Sequence, residues 1–335
     1  MPPLGDVVAR ARGLARHLLA EEALSSLATA RGSGALADEL AHLGYPRVSD
    51  DRAGPISAIE AVEAAIEHET ARRLSLLVRW LGPRRQLFVG VFEQDELRVL
   101  RILLRRVSAG RASAGARPPV EALTSFGRGA REELLRAVDP AAFARVLKRL
   151  GSPYGAPLIA SLRAGESGLL ALETALDRTF AARARAAAQR AGGCLLAWVV
   201  QGIDLGNAWG ALLGAPDPFV EGGERLTRAE FDGIAREESP SARRAALVGI
   251  FPADGVGAVF EDVGAPLAAL ESRSRIARLR ELRRAARIDP LGPAALLEAV
   301  MRLREEPTRL RRIAWAVAQG IPESAGADAW AGALS

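Results

Sequence analysis

The sequence predicts an all-α protein, and three observations support that prediction. Apolar residues recur at three- and four-residue spacing, as at Leu97, Leu100 and Leu104, with arginines mostly at other helical positions. Alternating runs typical of β-strands are scarce, and Leu87–Phe92 is the best short candidate. Glycine and proline separate the periodic segments, at Gly44–Pro46, Gly151–Pro157, Gly214–Pro218, Asp289–Pro293 and Gly320–Pro322.

Two segments without this periodicity divide the chain into three parts of similar size. We expect Ser108–Pro119 and Ala215–Gly223 to be linkers, since both are rich in small residues, glycine or proline. The only two tyrosines, Tyr45 and Tyr154, lie 109 residues apart, and Asp95 and Asp204 are separated by the same interval. Glu306 stands at the equivalent point of the third part. The sequence therefore predicts three similar helical lobes, 1–112, 113–218 and 219–335.

Three copies of one unit predict a closed arrangement rather than an open solenoid. The repeat is far longer than the 20–50 residues of solenoid proteins. We expect the lobes to pack around a pseudo-threefold axis, which would form a funnel with a central cavity.

Composition argues against catalysis. The chain of 335 residues has 3 His, 1 Cys and a single lysine, Lys148, so it lacks most side chains used for covalent, metal or proton-transfer chemistry. His17, His42 and His68 are not spaced as metal ligands, and we expect no metal and no cofactor. Lys148 lies between Leu147 and Arg149, which excludes a phosphate loop of the Gly-Lys-Ser/Thr type. We predict that the protein is not an enzyme.

The candidate interaction residues are charged. Asp95, Asp204 and Glu306 recur, and two interpretations stand: they contact arginines of a partner protein, or they accept backbone N–H groups at helix N-termini. The stretch Arg273–Arg287, which includes Arg280 and Arg284, either faces acidic loops of a partner or is a solvated helix face. The net charge of +5 is carried by arginine without interleaved aromatic residues, which argues against nucleic-acid binding.

Several motifs, in order along nearly the whole chain, resemble a known family: the C-type subunit of V/A-type rotary ATPases, equivalent to the d-type subunit of the eukaryotic vacuolar enzyme. The motifs are the alternating Arg and Ala of Ala9–Leu14 followed by Leu18-Leu19, the turn Ser152–Gly155, the helix Leu172–Arg178, the segment Asp204–Leu213, the helix entry Asp289–Pro293 and the segment Leu310–Pro322. The family's asparagine three residues after the acid is Asn207 here, but Arg98 and Arg309 replace it in the other two copies.

Pro307 is a further departure from the family pattern. A helix that restarts at Pro307 would accommodate it, whereas a helix interior would lose about 3 kcal/mol.

The resemblance implies a peripheral protein on the cytoplasmic face of a membrane complex, without a transmembrane segment of its own. It implies a connector of the central stalk that joins the rotating shaft, made of D- and F-type subunits, to the membrane proteolipid ring. The residues expected to contact the partners of such a connector are Asp95, Arg98, Asp204, Asn207, Arg273, Arg280, Arg284, Glu306 and Arg309. The complex would carry out ATP-driven ion transport or ATP synthesis. The alternatives are a helical adaptor outside rotary ATPases and, third, a nucleic-acid-binding helical protein.

Overall fold

Helices and turns make up the described part of this computed structural model. The structure describes residues 3–47, 57–110, 123, 125–214, 219–251, 256–262 and 265–321, and these residues contain no strand. The predicted all-α class is confirmed. Most of the predicted linker Ser108–Pro119, and residues 215–218 of the second one, lie outside the described residues.

Fourteen α-helices and two short 3-10 helices occur among the described residues. The α-helices are α1 (Gly5–Ala15), α2 (Glu21–Ala28), α3 (Ser33–His42), α4 (Ala58–Leu81), α5 (Val89–Ser108), α6 (Arg128–Leu135), α7 (Pro140–Arg149), α8 (Gly155–Arg163), α9 (Leu169–Ala191), α10 (Gly193–Leu212), α11 (Arg228–Arg236), α12 (Pro240–Ile250), α13 (Leu267–Ile288) and α14 (Pro293–Gln319). The 3-10 helices are Gly82–Leu87 and Gly257–Glu261.

Local sequence signals explain several helix ends. Ser57 opens α4 with a reciprocal capping box to Glu60, and Thr227 does the same for α11. Helix α14 begins at Pro293, which needs no backbone donor there, and ends before Gly320, whose φ of 65° is left-handed. The glycine and proline punctuation at both ends of α14 therefore marks helix termini, as the sequence predicts.

Two sequence expectations are wrong in detail. Leu87–Phe92 is not a strand, because its apolar residues continue the buried stripe of α5, in which Val89, Val91 and Phe92 are all buried. Pro307 does not restart a helix but lies inside α14. Its ring nitrogen has no hydrogen to donate, so the surrounding buried contacts of α14 must offset the loss of one helical hydrogen bond.

The chain divides into two compact units. One is continuous and comprises Pro83–Arg278, whereas the other joins Pro3–Gly82 to the chain from Leu279 onward. The second unit is thus assembled from segments that are far apart in sequence.

The continuous unit has two larger hydrophobic clusters and a small one of Val259, Ala265 and Leu270 among its described residues. In the first large cluster, α5 and α9 pack together with α6, α7 and α8, and its largest buried side chains include Phe143 and Tyr154. Ion pairs from Arg101 to Asp177 and from Arg105 to Glu173 also join α5 to α9. In the second, α10 packs with α11, α12 and the 3-10 helix Gly257–Glu261.

The discontinuous unit has a cluster of similar make-up. Leu310, Ile313 and Ala314 of α14 pack with residues of α2, α3 and α4, and α1 packs on α14 and α4. In each of these clusters a long helix packs against the short helices that its own unit supplies. The predicted lobe boundaries after residues 112 and 218 stay predictions.

Candidate functional site

The recurring acids Asp95, Asp204 and Glu306 all lie inside long helices, in α5, α10 and α14 respectively. The interpretation that they start these helices is therefore wrong. Asp204 and Glu306 are buried, with 1% and 5% of their surface exposed, whereas Asp95 is half-buried. Each buried acid accepts hydrogen bonds from another segment of its own unit.

Glu306 joins α14 to the N-terminal helices. Its Oε1 accepts a hydrogen bond from the backbone N–H of Leu19 at 2.6 Å. Its Oε2 accepts one from the Tyr45 hydroxyl at 2.8 Å and another from the Arg73 guanidinium. One carboxylate thus holds the segment before α2, the turn after α3 and the middle of α4.

Arg73 extends this contact into a buried network. Its Nε donates to Glu69 at 2.6 Å, and Arg72 donates to the same carboxylate with two nitrogens at 2.7 Å. The Arg73 guanidinium also lies over the Tyr45 ring, 5.6 Å from its centroid. Glu69, Arg73 and Glu306 are buried, and the exposed Arg72 supplies the second positive charge that balances the two carboxylates.

The pKa values in this network follow from burial and pairing. Burial raises the pKa of Tyr45 far above its usual range, and the adjacent Glu306 carboxylate raises it further. Burial would also raise the pKa of Glu69, but the hydrogen bonds from Arg72 and Arg73 outweigh burial and lower it. Tyr45 therefore stays neutral and Glu69 stays charged at neutral pH.

An equivalent arrangement occurs on α5, at Glu93 and Glu96. Glu93 accepts a hydrogen bond from the Tyr154 hydroxyl at 3.2 Å and pairs with Arg183 of α9 at 2.7 Å. Glu96, which is 3% exposed, accepts the backbone N–H of Ser125 at 2.7 Å. Two glutamates on α5 thus share the functions that Glu306 performs alone on α14.

The two tyrosines therefore make the same kind of contact in the two units. Each hydroxyl donates to a glutamate that also pairs with an arginine on a neighbouring long helix, Arg73 in one unit and Arg183 in the other. These arginines are 110 residues apart, close to the 109-residue interval of the tyrosines. The tyrosine interval is therefore the sequence signal that points to Arg183. The equal interval between Asp95 and Asp204 points instead to Asp95, which is not the residue that binds Tyr154.

Asp204 and Asn207 hold the segment before α11. Both oxygens of Asp204 accept backbone N–H groups of residues 224–226 at 3.1–3.3 Å. The Asn207 amide makes a two-point contact with the backbone of Val220, with both hydrogen bonds at 2.9 Å. Gly223 is required here, because a Cβ atom at that position would lie 2.0 Å from an Asp204 oxygen.

The comparisons with known proteins place this geometry in a family. A family model described as the ATP synthase (C/AC39) subunit matches residues 7–325. The chain belongs to that family. The resemblance to the C-type component of V/A-type rotary ATPases is thereby confirmed, and it supports a role in that complex. A comparison with curated proteins found no match.

The remaining candidate residues of this C/AC39 chain lie at the surface, except for Arg309. Arg98, Arg280 and Arg284 are exposed, and Arg273 is half exposed and pairs with Asp262 at 2.5 Å. Arg309 is mostly buried and pairs with Glu21 at the start of α2, which lowers the pKa of Glu21 through hydrogen bonding. The exposed arginines can therefore contact a partner directly, whereas Arg309 contacts another helix of its own unit.

Two further findings describe this family member. Among the residues that the structure describes, no group of three or more His, Cys, Asp or Glu side chains is arranged to hold a metal ion. Within the same residues, every helix is too short or too polar to cross a lipid bilayer. The buried acids are engaged with arginines, a tyrosine or backbone N–H groups, so their chemistry is that of structural clamps.

Proposed function

We propose that this protein is the non-catalytic connector of the central stalk in a V/A-type rotary ATPase. It would couple a shaft of D- and F-type subunits to the membrane proteolipid ring, on the cytoplasmic side of the membrane. The family match over residues 7–325 carries the proposal. The complex would use this coupling for ATP-driven ion transport or ATP synthesis.

The buried clamps support a mechanical function. A part that transmits torque must move as a whole, so its short surface helices must not slide on its long ones. Glu306 and Glu93 each bind a tyrosine and an arginine, and Asp204 binds three consecutive backbone N–H groups. Such multiple, charge-assisted contacts fix one geometry, because a shift of any element leaves a buried charge unpaired.

We assign two kinds of function to the candidate residues. Arg98, Arg273, Arg280 and Arg284, together with Asp95, would contact the shaft or the ring, since their side chains reach solvent. Asp204, Asn207, Glu306 and Arg309 would act indirectly, by holding the segments that form the contact surfaces. The three lobes about a pseudo-threefold axis, with the shaft in a central cavity, complete the proposal.

A pull-down with separately produced D- and F-type subunits tests the connector function. We expect the full-length chain to retain the shaft proteins, and the charge reversal Arg280→Glu with Arg284→Glu to lower retention at least about tenfold. The matched control reverses Arg12 and Arg16, which are also exposed and belong to the same unit.

Three outcomes would contradict the proposal. Failure of the unaltered chain to bind either shaft or proteolipid ring would exclude a connector, and selective binding to a protein outside the ATPase would favour the adaptor. Duplex DNA binding with a steep salt dependence would favour the nucleic-acid alternative.

A further inference from the structure

A basic groove between α7 and α8 is not used by any of the contacts described above. Its volume is about 630 Å³, within the range of small-molecule sites. Arg145, Lys148, Arg149 and Arg163 supply its charge. Ala141, Ile159 and Leu162 supply an apolar part. The α7–α8 groove thus combines four cations with an apolar surface.

Three of the four cations have no counter-ion in the described part of the chain. Arg149 pairs with Glu133 of α6. Arg145, Lys148 and Arg163 are exposed, and their side chains make no hydrogen bond or ion pair with any residue that the structure describes. The groove therefore concentrates about three positive charges that no side chain in the described part of the chain pairs with.

Helix ends commonly attract basic residues, but two carbonyl groups at the end of each helix already accept backbone hydrogen bonds here. At the end of α7, Ser152 N–H donates to the Leu147 carbonyl at 2.9 Å and Gly151 N–H donates to the Lys148 carbonyl at 3.0 Å. At the end of α8, Glu166 and Gly165 repeat the pattern toward Ser161 and Leu162. Backbone donors cap both helices, so the cations are not needed for that purpose.

A close backbone contact fixes the start of α8 against the end of α7. A Cβ atom at Gly155 would lie 2.2 Å from the Lys148 nitrogen, so only glycine lets the start of α8 approach α7 this closely. The buried side chains Phe143, Leu147 and Leu158 pack the opposite faces of these two helices. The positions of the basic residues are therefore set by the fold before any ligand binds.

We propose that the α7–α8 groove binds a ligand that carries phosphate and has a less polar part that contacts the apolar surface of the groove. Arginine guanidinium groups bind phosphate with paired, charge-assisted hydrogen bonds, and lysine adds a compact positive charge. The apolar surface of Ile159 and Leu162 would contact the rest of the ligand. Two sources supply this chemistry: a soluble nucleoside triphosphate, and the headgroup of an anionic phospholipid.

Binding measurements on the full-length chain separate these sources. One arm titrates ATP without metal by calorimetry, with inorganic tripolyphosphate as the probe for charge alone. The other arm measures co-sedimentation with phosphatidylcholine vesicles that contain or lack phosphatidylglycerol. We expect binding in one arm, weakened by added salt and at least about tenfold weaker in the variant Arg145→Gln with Arg163→Gln.

The matched control removes the same charge from the same unit. Arg190 and Arg236 are exposed, lie outside the groove and belong to Pro83–Arg278. Arg190→Gln with Arg236→Gln should bind as the unaltered chain does, and both double variants should keep the unaltered melting temperature. Absence of binding in both arms, or equal weakening by the control, would overturn the proposal.

Discussion

Replacing Glu306 by glutamine tests whether one buried carboxylate holds the N-terminal helices on α14. The change keeps the size of the side chain but removes its charge and turns one acceptor oxygen into an NH₂ donor. Either Leu19 N–H or the pair of Tyr45 and Arg73 must then face a donor. The substitution therefore removes at least one hydrogen bond and leaves Glu69 as the only carboxylate that pairs with Arg73.

The expected loss of stability is about 3 kcal/mol. Breaking a buried ion pair by removing one partner costs about 3–5 kcal/mol, and the remaining contact of Arg73 with Glu69 places Glu306→Gln at the lower end. Tyr45→Phe removes one neutral hydroxyl from the same carboxylate and should cost about 1 kcal/mol. The two changes share an oxygen, so the double variant should lose about 1 kcal/mol less than the sum.

Amide hydrogen exchange of residues 19–45 is the direct assay, because it reports local opening of this unit. About 3 kcal/mol corresponds to roughly 100-fold faster exchange. Glu39→Gln is the matched control, since Glu39 is exposed on α3 in the same unit. Helix α7, in the other unit, should exchange unchanged. If the amides of residues 19–45 exchange in Glu306→Gln at rates within about twofold of those in the unaltered chain, Glu306 does not hold these helices on α14.

The other buried contacts can be tested in the same way. Gly223→Ala should displace the segment before α11 from Asp204 and speed its amide exchange at least about tenfold. Gly233→Ala is the control, because a Cβ atom there meets no other atom within 4 Å. Equal exchange in both variants would contradict the contact of Asp204 with this segment. Burial raises the pKa of Tyr45 and of Tyr154 in the folded chain above the ordinary value of 10.0. The unfolded chain therefore loses these protons first, and the free energy of unfolding should fall as the pH rises above about 10. Tyrosinate absorbance should appear only as the chain unfolds. Burial opposes the charge of Glu69, but the hydrogen bonds from Arg72 and Arg73 lower its pKa below the ordinary value of 4.5. The contribution of Glu69 to the free energy of unfolding is therefore complete above pH 4.5 and is lost as the pH falls further. Glu69→Gln should make stability, measured by denaturation at several pH values, depend less on pH in this acid range.

Much of the fold follows from sequence because helix signals are local. The buried stripe Leu97, Leu100 and Leu104 and the termini of α14 coincide with the predicted periodicity and punctuation. The 109-residue interval between Tyr45 and Tyr154 also has a physical counterpart, since both hydroxyls donate to a glutamate that pairs with an arginine.

Side-chain direction within a helix explains what the sequence did not reveal. Neighbouring residues point about 100° apart, so Asp95 and Glu96 face different surroundings although both are acids. Glu93 and Glu96 lie three residues apart and share a face of α5, which is why they, and not Asp95, make the clamp contacts. The basic groove was equally hidden, because Arg145 and Arg163 come together only through the packing of α7 on α8.

The discontinuous unit has a consequence for synthesis on the ribosome. Pro3–Gly82 emerges early, yet Leu24, Leu27 and Leu36 find Leu310 and Ile313 of α14 only after more than two hundred further residues have been made. The continuous unit Pro83–Arg278 contains its own partners and can fold in the meantime. The apolar residues of these first helices that contact α14 are therefore covered late, and a chain that stops before Glu306 would leave that surface without Leu310 and Ile313.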